Sequence, residues 1–376
     1  MKEGWTYTTL GQVCKLYQPH TISSKEMVED GAYNVFGANG IIGKFNQYNH
    51  EFPEILMTCR GATCGNINIS TPKSWINGNA MVIHIEEESV INRGFLVYLL
   101  SFVDKSHIIT GAAQPQITRQ TLSPLVICFP SLTEQERIVE QLDAAFAQID
   151  ELKSNAERQL AEARALFQSA LTQAMQPKPG WQEKKLKEIA DVKGGKRVPK
   201  GYKLQAIKTN HPYIRVADFN SHGSIDMSDI QYISDEIFEQ IKNYTITDKD
   251  LYVSIAGTIG KTGIIPSELN GANLTENACK LVFKTDVVLR YIYLFTLSDI
   301  FKKQIEKATK QASQPKLALT RLAEVIISIP SISEQQSIVE QLDTLANDIH
   351  ELEKNYQKTI AECDALKQAL LRQIFE

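Results

Sequence analysis

The chain has 376 residues, 43% of them hydrophobic and 22% charged, with a formal net charge of −4. That length suits two domains with separate cores, and the composition excludes a disordered or fibrous protein. No run of 18 apolar residues offers a membrane span and Met1-Lys2-Glu3-Gly4-Trp5 has no apolar leader, so cytoplasmic residence is expected.

The charge is unevenly spread. Residues 181–330 carry 22 Lys and Arg against 17 Asp and Glu, whereas residues 331–376 carry 4 against 9. A basic segment beside acidic ones suits a protein with one nucleic-acid face and a separate protein-binding or solvated face.

In chain order, residues 1–130 form a first module, opening with Gly4-Trp5 ahead of Leu10 and Val13. Arg60 lies in Thr58-Cys59-Arg60-Gly61-Ala62-Thr63, where small neighbours allow close approach to a partner. Asn39, Lys44, Asn66, Gln114 and Arg119 are its candidate companions, since base readout needs Arg, Asn, Gln and Lys on rigid loops. The six cysteines are scattered, and Cys59 and Cys64 alone are weak evidence for metal; reduced thiols packing as small hydrophobes are expected.

Residues 131–176 are predicted as one long helix, capped by Ser131 or Thr133 ahead of Glu134-Gln135 after a proline. Residues 177–330 form a second module, opening with Gly180-Trp181 ahead of Leu186 and Ile189. Its basic run Lys193, Lys196, Arg197, Lys200 and Lys203 is a candidate phosphate-contacting loop. Arg215 is either a base reader or the ion-pair partner of Asp218, and Lys307, Lys310, Gln311, Gln314 and Lys316 precede the final helix.

Residues 331–376 repeat the helix. Pro130-Ser131-Leu132-Thr133-Glu134-Gln135 recurs as Pro330-Ser331-Ile332-Ser333-Glu334-Gln335, and Ile138-Val139-Glu140-Gln141-Leu142-Asp143 as Ile338-Val339-Glu340-Gln341-Leu342-Asp343. The modules themselves share little beyond Thr63–Asn66 with Thr258–Lys261 and Asn79-Ala80 with Asn277-Ala278. Both helices carry a four–three apolar pattern: Ile138, Leu142, Ala145, Ile149, Leu152, Ala156, Gln159, Ala163, Leu166 and Ala170, with Ile338, Leu342, Leu345, Ile349, Leu352, Tyr356, Thr359, Cys363, Leu366 and Leu370. Bulky positions in one are often alanine in the other, which predicts an antiparallel coiled coil with a rough two-fold relation between the modules.

Enzymatic signatures are missing. Gly260-Lys261-Thr262 resembles a phosphate-binding loop, but Ile255 stands where the motif needs glycine and Pro266 where a helix should run. There is no amino-methyltransferase motif, no nuclease-like acidic cluster and no His pairing. The residues describe a reader, with a pure coiled-coil scaffold or a self-sufficient enzyme as the competing classes.

The module starts, the Pro-Ser-Leu/Ile-x-Glu-Gln-x-x-Ile-Val helix starts and the repeat of 200 residues together resemble the specificity subunits of type I restriction–modification systems, over nearly the whole chain. Tyr33–Gly37 through Gly40–Gly43 resembles a segment of the first module type. The resemblance implies an α+β fold: two mixed α/β target-recognition domains (1–130 and 177–330), each followed by a conserved helical spacer (131–176 and 331–376), with the spacers pairing as an antiparallel coiled coil of pseudo-two-fold symmetry. It implies double-stranded DNA as ligand, two methyltransferase subunits and restriction subunits as partners, and no catalysis in this chain. S-adenosylmethionine, ATP and magnesium would belong to the partners. One departure is Gly194-Gly195, a glycine pair the first module lacks at its start.

Overall fold

The computed structural model describes residues 2–111, 114–220, 222–309 and 316–376. Two compact units emerge, one of residues 1–157 with 357–376, the other of residues 158–356.

The first module contains β1 (Thr6–Thr9), α1 (Leu10–Val13), β2 (Cys14–Tyr17), β3 (Tyr33–Gly37), β4 (Gly40–Phe45), β5 (Ile55–Thr58), β6 (Ile67–Ile69), β7 (Trp75–Ile76) and β8 (Ala80–Ile85). It continues with α2 (Arg93–Phe102), α3 (Arg119–Leu122) and β9 (Val126–Phe129), then the long helix α4 (Leu132–Ala174).

The second module contains β10 (Gln182–Lys185), α5 (Leu186–Ile189), β11 (Ala190–Gly194), β12 (Pro212–Ile214), β13 (Gln231–Tyr232), α6 (Asp235–Ile241) and β14 (Thr245–Ile246). There follow β15 (Leu251–Ser254), β16 (Thr262–Ile264), β17 (Ala272–Leu274) and β18 (Ala278–Phe283). It closes with α7 (Leu289–Leu297), α8 (Asp299–Thr309), α9 (Leu319–Ala323), β19 (Ile326–Ile329) and the long helix α10 (Ile332–Phe375).

Every strand of the first module has a counterpart in the second. Sheet β2-β8-β5-β6 matches β11-β18-β15-β16, and the pair β1-β9 matches β10-β19. In the remaining sheets the parallel pair β3–β7, with β4 antiparallel on β3, matches the parallel pair β12–β17, with β13 antiparallel on β12. The second module's surplus includes α6, β14 and α8. Strands β5 and β15 lie inside their sheets and are buried along their whole lengths, three large residues in each followed by a buried hydroxyl, Thr58 or Ser254.

The second glycine of the pair has a structural reason. A side chain on Gly195 would meet Thr275 O at 2.1 Å, so β11 leaves its sheet hard against the segment before β18. The first module makes the same close approach with the glycine on the other strand: a side chain on Gly78 would meet Pro19 O at 2.5 Å.

The duplicated motif is the joint between module and helix. Gln135 and Gln335 are buried at the first turns of α4 and α10. Each accepts from the backbone nitrogen of the residue that caps an earlier helix of the module, Asn92 at α2 or Val288 at α7, at 2.8 Å, and donates to the proline carbonyl, Pro130 or Pro330, at 2.9 Å. Ile138 and Leu142, like Ile338 and Leu342, enter the module core. Asp143 accepts from Tyr98 Oη at 2.5 Å, and Asp343 pairs with Arg290 at 2.7 Å. The module-opening tryptophans complete the joint, Trp5 packing on Phe95 and Trp181 donating to Glu334 Oε1 at 3.0 Å.

The helices pair antiparallel. In the first unit Lys153 meets Asp364 at 2.7 Å and Lys367 meets Asp150 at 2.5 Å, so descending one helix is climbing the other. Leu371 and Phe375, at the end of α10, lie in the first module's core with Phe95 and Leu99. In the second unit Arg164 meets Glu353 at 2.7 Å, and Leu171 and Met175, at the end of α4, lie in the core with Tyr291 and Phe295.

The seam differs from the sequence pattern at alternate positions. Ile149, Ala156 and Ala163 are buried, as are Ile349 and Cys363, but Leu152, Leu166, Leu352 and Leu366 are 52, 58, 43 and 49% exposed. Lys153, Phe167, Glu353 and Lys367 take the inward places. A step of four along a helix ends about 40° from the starting line and a step of three about 60°, so the residue after each leucine lies nearer the partner. The three cross-helix ion pairs are the consequence.

Candidate nucleic-acid interface

The first module's candidates converge on the turn between β5 and β6. Thr58 N donates to Asn66 O at 2.8 Å and Gly65 N to Thr58 O at 2.8 Å, which closes the loop that carries Arg60. Gly65 sits at φ +93°, a conformation that side chains rarely adopt. Asn39, at the tip between β3 and β4, reaches over to this turn: its amide donates to Thr63 Oγ1 at 2.7 Å and its oxygen accepts from Thr58 Oγ1 at 2.9 Å. On the other side Arg60 forms an isolated bridge with Gln116, and Gly61 N donates to Pro115 O at 3.0 Å, which brings Gln114 alongside.

Asn39, Arg60, Asn66 and Gln114 are thus gathered on one exposed loop cluster, and Asn39 and Asn66 line a concave surface of about 980 Å³. Among the described residues Arg60 has no ion-pair partner. Lys44, on β4, and Arg119, the first residue of α3, are exposed, and no contact among the described residues ties either to the turn.

The second module disperses its candidates more widely. Lys193 lies within β11 rather than in the loop and pairs with Asp191 at 3.7 Å. Lys196 is held by a bond from its backbone nitrogen to Leu274 O, with its ammonium 5.5 Å from the centre of the Tyr244 ring. Arg197 pairs with Glu276 at 2.5 Å, while Lys200 and Lys203 are exposed. Lys307, on α8, lines a shallow concavity with Arg321 and Glu324. Lys316 bridges Ala256. Lys310, Gln311 and Gln314 lie outside the described residues.

Arg215 takes the ion-pair side of its two readings. Its guanidinium binds Asp218 at 2.6 Å and Asp229 at 3.0 Å, and its backbone nitrogen donates to the Asp218 carboxylate at 2.6 Å. Asp218 is only 4% exposed, so the clamp fixes the chain after β12. The hydrogen bonds that the guanidinium donates to the Asp218 carboxylate, and next to Asp229, hold it in its charged form more firmly than usual.

Gly260-Lys261-Thr262 runs into strand β16, so it builds no phosphate-binding loop. The same residues matter for another reason. Lys261 occupies in the β15–β16 turn the place that Asn66 occupies between β5 and β6, and Gln116 and Lys316 are equivalent across the repeat. Neither Gln116 nor Lys261 stands out in the sequence alone, although the repeat of 200 residues and the Gly65-Asn66/Gly260-Lys261 likeness both point to them.

The cysteines offer no exposed nucleophile. Cys14, Cys59, Cys279 and Cys363 are buried, and burial pushes the Cys14 and Cys279 thiols up to about 12, with Glu86 adding to the shift at Cys14. Cys59 donates from its sulfur to Asn79 O at 3.0 Å, which ties the turn to the segment before β8.

A family model described as "Type I restriction modification DNA specificity domain" matches residues 2–162 and 178–362. The chain is 23% identical over 329 residues to the EcoBI specificity subunit of Escherichia coli, covering 80% of this chain and 68% of that one. It is 28% identical over 327 residues to a putative type I restriction enzyme specificity subunit of Haemophilus influenzae, covering 84% and 81%. Among solved structures, one reported under "complex assembly and conformational transition of the type I R-M system" matches with a TM-score of 0.79 at 18% identity, over 100% of this chain and 98% of that one. The HsdS subunit of Thermoanaerobacter tengcongensis matches with a TM-score of 0.55 at 19% identity, over 100% and 97%. With the family's domain matched on both modules and most of both long helices, the chain belongs to the type I restriction–modification DNA specificity family.

Proposed function

We propose that this chain is the sequence-reading subunit of a type I restriction–modification complex, recognising a bipartite double-stranded DNA site with one half read by each module. The observation that carries this reading is one scaffold built twice with different outward residues. Topology, helix joint and turn geometry repeat, while Arg60, Asn66 and Gln116 give way to Ala256, Lys261 and Lys316. A protein that needed two identical contacts would keep those side chains; one that reads two different half-sites changes them. The excess of Lys and Arg in residues 181–330 supports a phosphate-facing surface there.

In this reading the paired helices dock two methyltransferase subunits, with restriction subunits joining the assembly. Leu152, Leu166, Leu352 and Leu366, turned out of the helix seam, supply apolar anchors for such partners. S-adenosylmethionine, ATP and magnesium would be bound by the partners, and the chain performs no chemistry itself. Mapping methylated adenines genome-wide with and without this gene tests the proposal: a two-part motif should vanish with the gene. A coiled-coil scaffold without base readout would leave the methylation map unchanged.

A further inference from the structure

The two modules hold one backbone device at corresponding places. In the first, Thr58 N donates to Asn66 O and Gly65 N to Thr58 O; in the second, Ser254 N donates to Lys261 O and Gly260 N to Ser254 O, all between 2.8 and 3.0 Å. A second segment runs alongside each turn. Ile117 N donates to Cys59 O at 3.0 Å with a bridge between Arg60 and Gln116, and Leu317 N donates to Ile255 O at 2.9 Å with a bridge between Ala256 and Lys316. The loop tip after β3 or β12 also closes on the turn in both: Ala38 O accepts from Thr58 Oγ1 at 2.7 Å, and Phe219 O from Lys261 Nζ at 3.2 Å.

Inward residues of the device keep their type. Thr58 and Ser254 are buried hydroxyls, Cys59 and Ile255 buried apolar groups, and Ile117 and Leu317 likewise. The other residues change class: guanidinium against methyl at 60 and 256, carboxamide against ammonium at 66 and 261, and carboxamide against ammonium at 116 and 316. A fixed backbone with interchangeable projecting groups is what a reading head requires.

Resting on the proposal that the chain reads DNA, we infer that these six positions determine the specificity of the two half-sites. Arg60, Asn66 and Gln116 offer paired hydrogen bonds, Arg to the guanine edge and Asn or Gln to adenine. Lys261 and Lys316 offer ammonium donors to guanine O6 and N7, and Ala256 a methyl that suits the thymine methyl. Lys261 spends one of its three donors on Phe219 O and keeps two for a base. The first module's set therefore suits purine edges, and the second's suits guanine and a thymine methyl.

The test exchanges the heads within the assembled complex. The variant Ala256→Arg/Lys261→Asn/Lys316→Gln is expressed with its partner subunits and its methylated motif is mapped. One or more bases of the second half-site should change, with the first half-site unaltered. A motif unchanged in both halves, or changed only in the first, overturns the inference. If the triple variant fails to fold, the single variant Gln116→Leu is read instead by selection from a random duplex pool. It should lose about tenfold or more of its preference at one base of the first half-site, and an undiminished preference overturns the inference. Absence of any gene-dependent two-part motif in the unsubstituted strain refutes the proposed function, whereas a motif indifferent to these substitutions refutes only the assignment of these residues.

Discussion

The Gln135 side-chain oxygen lies 2.8 Å from the backbone nitrogen of Asn92, the residue that caps α2. That bond, with the one from Gln135 to Pro130 O, fastens the long helix to its module, and Gln335 repeats both bonds at Val288 and Pro330. Removing a buried amide that serves two backbone groups leaves both unsatisfied, a cost of about 1–3 kcal/mol for each group left unpaired. Gln335→Leu should lower the denaturation midpoint accordingly, while Gln341→Leu, at an exposed position of the same motif, should leave it within about 0.5 kcal/mol. Equal effects would remove Gln335 from its place as the joint.

The displaced seam separates stability from assembly. Ile149→Ala should destabilise the chain by about 2–4 kcal/mol, because Ile149 is buried between the helices. Leu152→Glu, three residues on, should change the stability of the chain by about 0.5 kcal/mol or less and instead weaken its association with methyltransferase subunits. Denaturation and co-purification together check this. A large stability loss at Leu152 would put it back in the seam.

Arg60→Ala should weaken DNA binding by about 1–3 kcal/mol and relax selectivity at one base if the guanidinium reads a base edge. A phosphate contact would weaken all sequences alike and reduce the salt slope by about one unit. Binding of the assembled complex to matched and mismatched duplexes over a range of salt distinguishes the two, and no change in either quantity would take Arg60 out of the interface.

Arg215→Ala should act on the fold and not on the motif. It strips the buried Asp218 carboxylate of its guanidinium, a loss of about 1–3 kcal/mol. The stability of the chain should fall while the methylated sequence stays the same. A changed base in the motif would make Arg215 a reader after all.

The sequence carried the architecture further than the site. The offset between Pro130 and Pro330, and the capping residues after each, announce two helices because such signals are local. Antiparallel pairing follows from matched apolar patterns. Which side of the seam faces inward does not, because Leu152 and Lys153 flank the same line, and the small angular advantage of Lys153, which then meets Asp364, overrides the apolar pattern. The shared topology of the modules is nearly invisible in sequence, since a strand such as β5 needs only to be apolar and its partner β15 satisfies that with different residues. Arg60 and Asn66 stand out by type and glycine-rich setting. Arg215 looks equally exposed in sequence until Asp218 and Asp229 close on it. Lys261 hides in a spurious phosphate-loop motif, and only hydrogen bonding around Ser254 shows that it shares the position of Asn66.

The claim that two modules read two half-sites is tested most directly by exchanging residues 181–330 for the corresponding segment of a relative with a different second module and sequencing the methylated motif. The account predicts that one half of the motif changes to the relative's and the other half keeps every base. Change in both halves, or in neither, would contradict it.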